Sequence, residues 1–137
     1  MNKKTVDTGF PFHESYLDYA GNELNFVITV RKTLTNGFIV NAVEENKPYG
    51  YEFQTYTPSD PYAALGEIRD KIRKGLSTCY VRKGKHDWEL THDSLRAKIS
   101  HLGIIVNGQL IQYEQLSEML KTYEGFNISI EISGPEA

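Results

Sequence analysis

The chain has 137 residues, of which 39% are hydrophobic and 24% charged, and its formal net charge is -3. This length and composition exclude a collagen-like or wholly disordered chain and predict a single globular domain, residues 1–137. The longest apolar run, Tyr62 to Leu65, is far shorter than the ~18 residues of a membrane helix. The single cysteine, Cys79, excludes an internal disulfide. We therefore expect a cytoplasmic protein.

Residues 1–12 are predicted to be a flexible tail. Lys3 and Lys4 have no apolar stretch behind them, so the segment lacks the pattern of a secretory signal. Up to about residue 22 the sequence shows no steady period. Tyr16, Leu17 and Tyr19 fit a short helical turn or a segment that crosses the core.

Three strands are predicted in the first half. From Leu24 to Val30 apolar and polar side chains alternate with the period of a half-buried strand. Asn36-Gly37 predicts a tight hairpin, because both residue types tolerate the positive φ of such turns. The returning strand is residues 38–44, and a third strand follows at about 49–56.

The first helix is predicted at about residues 61–75. Asp60 is a suitable N-cap, and Pro61 suits the first helical position because its missing N–H costs nothing there. Gly75 is predicted to end the helix. The apolar residues at helical spacing are Leu65, Ile68, Ile72 and Leu76.

The second half predicts short strands and a second helix. A strand is expected at about 77–82, and Asn107-Gly108 between two apolar runs is a strong hairpin signal. The helix is predicted at about 113–124, with Gly125 after it. Four apolar residues then alternate with polar ones and predict a final strand: Phe126, Ile128, Ile130 and Ile132.

These elements predict an α+β fold, in which mainly antiparallel sheet packs with two helices. Similar motifs recur along the chain. Gly37-Phe38-Ile39-Val40-Asn41 parallels residues 103–107, and a helix and a strand follow each. We interpret this as two similar strands–helix–strand halves at about 24–82 and 88–133. Chance recurrence of short hairpin and helix signals is the alternative.

The C-terminal sequence resembles an uncharacterised group of bacterial proteins. The resemblance rests on the Asn107-Gly108 hairpin and on the pattern E-x-L-x-x-M-L-x-x-Y-E-G-F from Glu114 to Phe126. Most of these positions are core or turn positions, so the resemblance indicates a fold. It implies no activity, cofactor or site residue.

Positive charge is concentrated between Arg69 and Lys85. This segment has seven basic residues and one acid, for a net charge of +6, whereas the rest of the chain carries -9. Such a patch would attract anions, and nearby aromatic rings could stack on bases. The candidate binding residues are Arg69, Arg73, Lys74, Tyr80, Arg82, Lys83, Lys85 and Trp88. Ordinary cations at a helix end and a turn are the alternative interpretation.

Aromatic residues are dense around the third predicted strand. Tyrosine-rich surfaces make good protein interfaces because they bury large area with little rotamer loss. The candidate interface residues are Tyr49, Tyr51, Phe53 and Tyr56. The same face could instead pack beneath the helices.

The sequence HDWELTHD at residues 86–93 is the densest cluster of titratable side chains. Imidazole and carboxylate groups are suitable metal ligands, and the candidates are His86, Glu89, His92 and Asp93. In an extended chain the two histidines face one way and the carboxylates the other, which is weak for a compact site. A solvated connector is the alternative. Cys79, inside a predicted strand, is more typical of a small buried apolar residue than of a nucleophile.

The sequence therefore predicts a small binding or interaction module without catalytic activity or cofactor, its partner an unknown protein. Two alternatives stay open. One is nucleic-acid or polyanion binding through residues 69–85, and the other is a metal-dependent hydrolase that uses residues 86–93. Exposed strand edges would also support a homodimer. We expect no membrane partner.

Overall fold

The computed structural model describes residues 9–85 and 87–136. The chain divides into two compact units. The first unit takes the described residues up to Lys47, together with Glu52–Ser77 and the chain from Ser133 on, and the second takes Pro48–Tyr51 and Thr78–Ile132. The prediction of one domain with two similar halves, at about 24–82 and 88–133, stays a prediction.

The first unit contains a four-stranded antiparallel sheet in the order β1-β2-β3-β4. Its strands are β1 (Phe12–Leu17), β2 (Glu23–Lys32), β3 (Phe38–Glu44) and β4 (Glu52–Thr57). A hairpin joins β2 and β3 as predicted, but its loop is residues 33–37 and not the tight two-residue turn at Asn36-Gly37. Asn36 has a φ of 67°, whereas Gly37 does not have a positive φ. The third predicted strand begins at Glu52, not at Tyr49.

Strand β1 replaces the helical turn or core-crossing segment that the sequence suggested. It pairs with β2, with Phe12 opposite Ile28 and Tyr16 opposite Leu24. The half-buried side of β1 carries Glu14 between two aromatic residues. A carboxylate at an inward position interrupts the apolar alternation, which is why the period was not visible.

Residues 1–8 of the expected tail lie outside the described residues. The ring of Phe10 contacts two other aromatic rings. Its centroid is 4.9 Å from that of Phe12 and 5.3 Å from that of Tyr62.

Helix α1 (Leu65–Ser77) follows a 3₁₀ turn at Pro61–Ala64. The Asp60 cap is confirmed, because its Oδ1 accepts the Tyr62 N–H at 3.0 Å. The helix buries Ile68, Ile72 and Leu76 completely. Burial of such side chains is worth about 1.5–3 kcal/mol each, which makes this stripe the main attachment of α1.

Gly75 does not end the helix, which continues to Ser77. A Cβ at this position would lie 2.5 Å from the ring of Phe53 in β4. Gly75 is therefore a close-packing position, not a terminating one.

The second unit contains two small antiparallel sheets and helix α2 (Tyr113–Lys121). One sheet pairs β5 (Val81–Lys83) with β6 (Trp88–Leu90). The other has the order β7 (Lys98–Ile99), β8 (Gly103–Val106), β9 (Gln109–Gln112). The predicted Asn107-Gly108 hairpin is confirmed, with φ values of 52° and 71°. The core consists of Val81, Trp88, Ile104, Val106, Ile111 and Met119.

The predicted final strand is wrong as a paired strand. Residues 126–134 contain no turn, bend or helix, and they pair with no strand in residues 9–85 or 87–136. The side chains expected in the core are exposed instead: Phe126 by 74%, Ile128 by 68%, Ile130 by 76% and Ile132 by 74%. Alternation specifies that one face is apolar, but it does not supply a neighbouring strand.

The α+β class with antiparallel sheet and two helices is confirmed. Helix α2 is shorter than expected and ends at Lys121. Within the ranges that the structure describes, no helix is both long and apolar enough to cross a membrane.

Candidate interaction site

The most distinctive surface is the C-terminal segment, defined as Phe126–Ile132. In an extended chain its odd and even positions face opposite ways, so the four apolar side chains share one face. Asn127, Ser129 and Glu131 share the other face. The segment thus has the alternating sequence of a half-buried strand, but its apolar side chains are exposed to solvent.

Contacts fix the start of this segment to the end of α2. The Phe126 N–H donates to the Tyr123 carbonyl at 2.8 Å, and the two rings meet edge to face with centroids 5.6 Å apart. Gly125, at a φ of 89°, provides the left-handed conformation that this turn requires. Beyond the segment, the Glu136 carbonyl accepts from Lys71 Nζ at 2.8 Å. Between these contacts the backbone of the segment pairs with no described strand on either edge.

Helix α2 adds exposed apolar surface in the same unit. Its buried anchor is Met119, with no exposed area, whereas Tyr113 is 47% and Leu120 40% exposed. Leu120 therefore lies on the outer side of the helix.

Three of the four basic residues of helix α1 are paired with groups of the same unit. Arg69 Nη2 donates to Glu14 Oε2 at 2.6 Å, and its Nε lies 3.2 Å from Oε1. Burial alone would raise the pKa of Glu14, but hydrogen bonds from Arg69 and Tyr16 outweigh it and lower that pKa. Burial and the hydrogen bond to Glu14 raise the pKa of Tyr16 to about 12.

Arg73 and Lys71 are also engaged. Arg73 Nη1 lies 3.2 Å from Asp70 Oδ1, and its guanidinium lies 5.8 Å from the centroid of the Tyr16 ring. Besides Glu136, Lys71 Nζ donates to the Gln54 carbonyl at 2.7 Å. Lys74 forms no ion pair with a described residue.

The basic residues that follow belong to the second unit. Arg82 pairs with Glu89 across β5 and β6, with Nε 3.0 Å from Oε1. Lys83 Nζ lies 5.0 Å from the centroid of Trp88, which is 9% exposed. The Trp88 indole N–H has no hydrogen-bond partner among the described residues. Tyr80 is half-buried, and Lys85 is exposed with no ion pair to a described residue.

The tyrosine-rich residues divide between the two units. Tyr49 is 39% exposed, and Tyr51 Oη accepts from Asn107 Nδ2 at 3.2 Å, both within the second unit. Phe53, in the first unit, packs on Gly75 and on Phe26. Tyr56 lies on the opposite face of β4 from Phe53, and its ring covers Gly37.

The 86–93 cluster does not converge in the part that the structure describes. His86 lies outside the described residues. Glu89 is paired with Arg82, and His92 Nδ1 lies 2.9 Å from Thr91 Oγ1. Among residues 9–85 and 87–136, no group of three His, Cys, Asp or Glu side chains is placed to hold a metal ion. Cys79 is half-buried, and its Sγ donates to the Val81 carbonyl at 3.0 Å.

Sequence reasoning missed the C-terminal segment as a surface. The alternation was visible, but a core strand and an exposed strand have the same alternation. The missing information was long-range, namely which strand if any lies beside it. No local signal in the sequence provides that.

Comparison with known proteins gives families without an assigned function. Residues 80–137 match the model of a domain of unknown function (DUF7713). A second model, a domain of unknown function (DUF7686), matches residues 9–77. The two matches meet at residues 77–80, close to where the second compact unit resumes at Thr78. The expectation of an uncharacterised group is confirmed.

One curated relative is the trigger factor of Desulfosudis oleivorans, which is 27% identical over 134 residues. The match covers 96% of this chain but only 28% of that protein's length. No solved structure matches. Since its model matches half of the chain, the chain belongs to the family described as a domain of unknown function (DUF7686).

Proposed function

We propose that the protein is a non-catalytic binding module that contacts a protein partner through the C-terminal segment. The observation that carries the proposal is the exposure of Phe126, Ile128, Ile130 and Ile132, each by 68–76%. Scattered surface apolar residues need no explanation, but four on one face of seven residues form a continuous stripe. Stripes of this kind mark interaction surfaces.

The mode of binding that fits is addition of a strand. An extended segment with unpaired backbone groups offers N–H and C=O groups to another strand, while its side chains on one face supply apolar contact. The backbone bonds give affinity, and the alternation sets the register. A protein strand satisfies both requirements at once.

Polyanion binding through residues 69–85 has weaker support. Arg69, Arg73 and Arg82 lie in ion pairs with Glu14, Asp70 and Glu89, so an incoming phosphate would have to displace a carboxylate. The segment also divides between the two units. The metal-dependent hydrolase has no ligand group in the described residues to support it.

Photo-crosslinking in the source cells tests the proposal. Phe126 is replaced by p-benzoylphenylalanine, which forms covalent bonds only with groups held beside it. The matched control carries the same replacement at Leu34, which is fully exposed in the β2–β3 hairpin. We expect a discrete crosslinked product from position 126 and none from position 34. No product at 126, or equal products at both positions, would overturn the proposal.

A further inference from the structure

We propose that the occupant of the C-terminal segment is a second copy of the same segment, paired antiparallel with Ser129 opposite Ser129. This inference rests on the proposed function and names its partner. It follows from the self-complementarity of residues 126–132.

The register is set by the apolar positions. With Ser129 at the centre, Phe126 faces Ile132 of the second copy, and Ile128 faces Ile130. All four apolar side chains of each copy then meet apolar side chains. A shift of the centre to Ile128 places Ile132 opposite Glu124, and a shift to Ile130 places Phe126 opposite Gly134. Only the Ser129-centred register pairs the whole stripe.

The polar positions agree with the same register. Asn127 faces Glu131, so an amide N–H₂ group lies beside a carboxylate, and Ser129 faces another hydroxyl. In a parallel, in-register pair Glu131 would face Glu131, and like charges directly opposite each other are destabilising. Charge therefore favours the antiparallel arrangement.

Symmetry also favours it. Antiparallel pairing about one residue is isologous, so it closes as a two-fold dimer. Seven residues a side make a small interface, below the size of stable permanent complexes. We therefore expect a weak dimer whose population depends on protein concentration.

Sedimentation equilibrium of the full chain, from about 1 µM to about 1 mM, tests the dimer. The apparent mass should rise towards twice that of the chain. The double variant Ile128→Asp, Ile130→Asp should keep the monomer mass throughout, with at least about tenfold weaker association. The matched control Asn22→Asp, Asn25→Asp adds the same charge in the first unit and should associate like the natural chain. The natural chain remaining a monomer at the highest concentration would overturn the proposal.

Cysteine crosslinking tests the register. With Cys79→Ala as the background, Ser129→Cys should give a disulfide dimer under mild oxidation, because directly opposite Cβ atoms lie about 4.5–5.5 Å apart. Asn127→Cys is the control, since two copies of residue 127 would be about 13 Å apart along the strands. Equal crosslinking of both, or more from position 127, would overturn this register.

The outcomes separate the two proposals. One outcome is a photo-crosslinked product that differs in mass from two copies of the chain, while the purified chain stays monomeric. That result would support a binding module and would overturn a second copy as its partner. A product of twice the chain's mass, with Ser129→Cys crosslinking and loss of association in the aspartate variant, would support both.

Discussion

Arg69 donates to both carboxylate oxygens of Glu14, a residue 55 positions earlier in the chain. The pair joins helix α1 to the edge strand β1, and Tyr16 Oη donates to the same carboxylate at 2.5 Å. Arg69 is therefore a structural cation. The polyanion hypothesis had counted it as available for a ligand.

Replacing Glu14 should weaken the first unit in a pH-dependent way. Glu14→Gln removes the charge-assisted pair, and we expect a loss of about 1–2 kcal/mol in the free energy of unfolding near neutral pH. Because the pKa of Glu14 is lowered on folding, its contribution is present above the ordinary value of 4.5 and is lost as pH falls through the folded pKa. Urea unfolding at pH 7 and in acid measures the loss of stability and its dependence on pH.

The difference between Glu14→Gln and the natural chain should shrink in acid. Asp70→Asn, which removes the exposed partner of Arg73, is the control and should cost less at pH 7. If the difference in the free energy of unfolding between Glu14→Gln and the natural chain stayed the same in acid, the lowered pKa could not be assigned to the pair of Glu14 and Arg69.

Tyr16 should make the protein less stable at high pH. Its pKa rises from 10.0 to about 12 on folding, so the unfolded chain releases the proton first. Stability present below pH 10 should therefore be lost as pH rises towards about 12. The Tyr16→Phe variant should lose less stability than the natural chain over the same pH interval. Tyrosinate absorbance should show a late-titrating group in the natural chain, and the same late group in Tyr16→Phe would show that another tyrosine is responsible.

Alanine substitutions at Gly75 and at Gly66 should change the stability of the protein in opposite directions. Gly75→Ala places a Cβ against the Phe53 ring, so we expect destabilisation by about 1–3 kcal/mol despite the better helix propensity. Gly66 has nothing within 4 Å of the added Cβ, and Gly66→Ala in the same helix should stabilise by about 0.5–1 kcal/mol. Thermal unfolding of both variants measures this. A stabilised Gly75→Ala would show that Phe53 does not pack there.

Asn107 should be important for the second unit for two separable reasons. Its side chain accepts the Tyr80 N–H at 2.7 Å and donates to the Thr78 carbonyl at 2.7 Å, and its backbone has positive φ. Asn107→Ala loses the bonds and strains the backbone, at a cost of about 3 kcal/mol. Asn107→Gly loses only the bonds and should cost about 1 kcal/mol less. Equal losses in denaturant unfolding would mean that the backbone is not strained.

Local signals predicted local structure well. The hairpins at Asn36 and Asn107 and the cap at Asp60 each depend on residues within a few positions. The cap and the Asn107 hairpin are confirmed, and the first hairpin is confirmed with a longer loop than predicted. Gly75 has the same local signal as a helix end, but Phe53 across the unit decides its role. Contacts between distant positions carry information that a local pattern lacks.

In the candidate site, too, the local pattern was predictable and the long-range contacts were not. The stripe of Ile128, Ile130 and Ile132 was predicted, because it depends only on alternation. Its exposure was not, because that depends on whether another strand lies beside it. The pairing of Arg69 with Glu14 was equally hidden, since 55 positions separate the two residues.

Hydrogen exchange of residues 127–132 at two protein concentrations tests the central claim most directly. At about 1 µM the amides should exchange like those of a free chain, and at about 1 mM alternate amides should slow by at least about tenfold. The alternation follows because only every second residue of an antiparallel pair directs its N–H to the partner. Fast exchange at both concentrations, or slow exchange at both, would contradict pairing of this segment with a second copy.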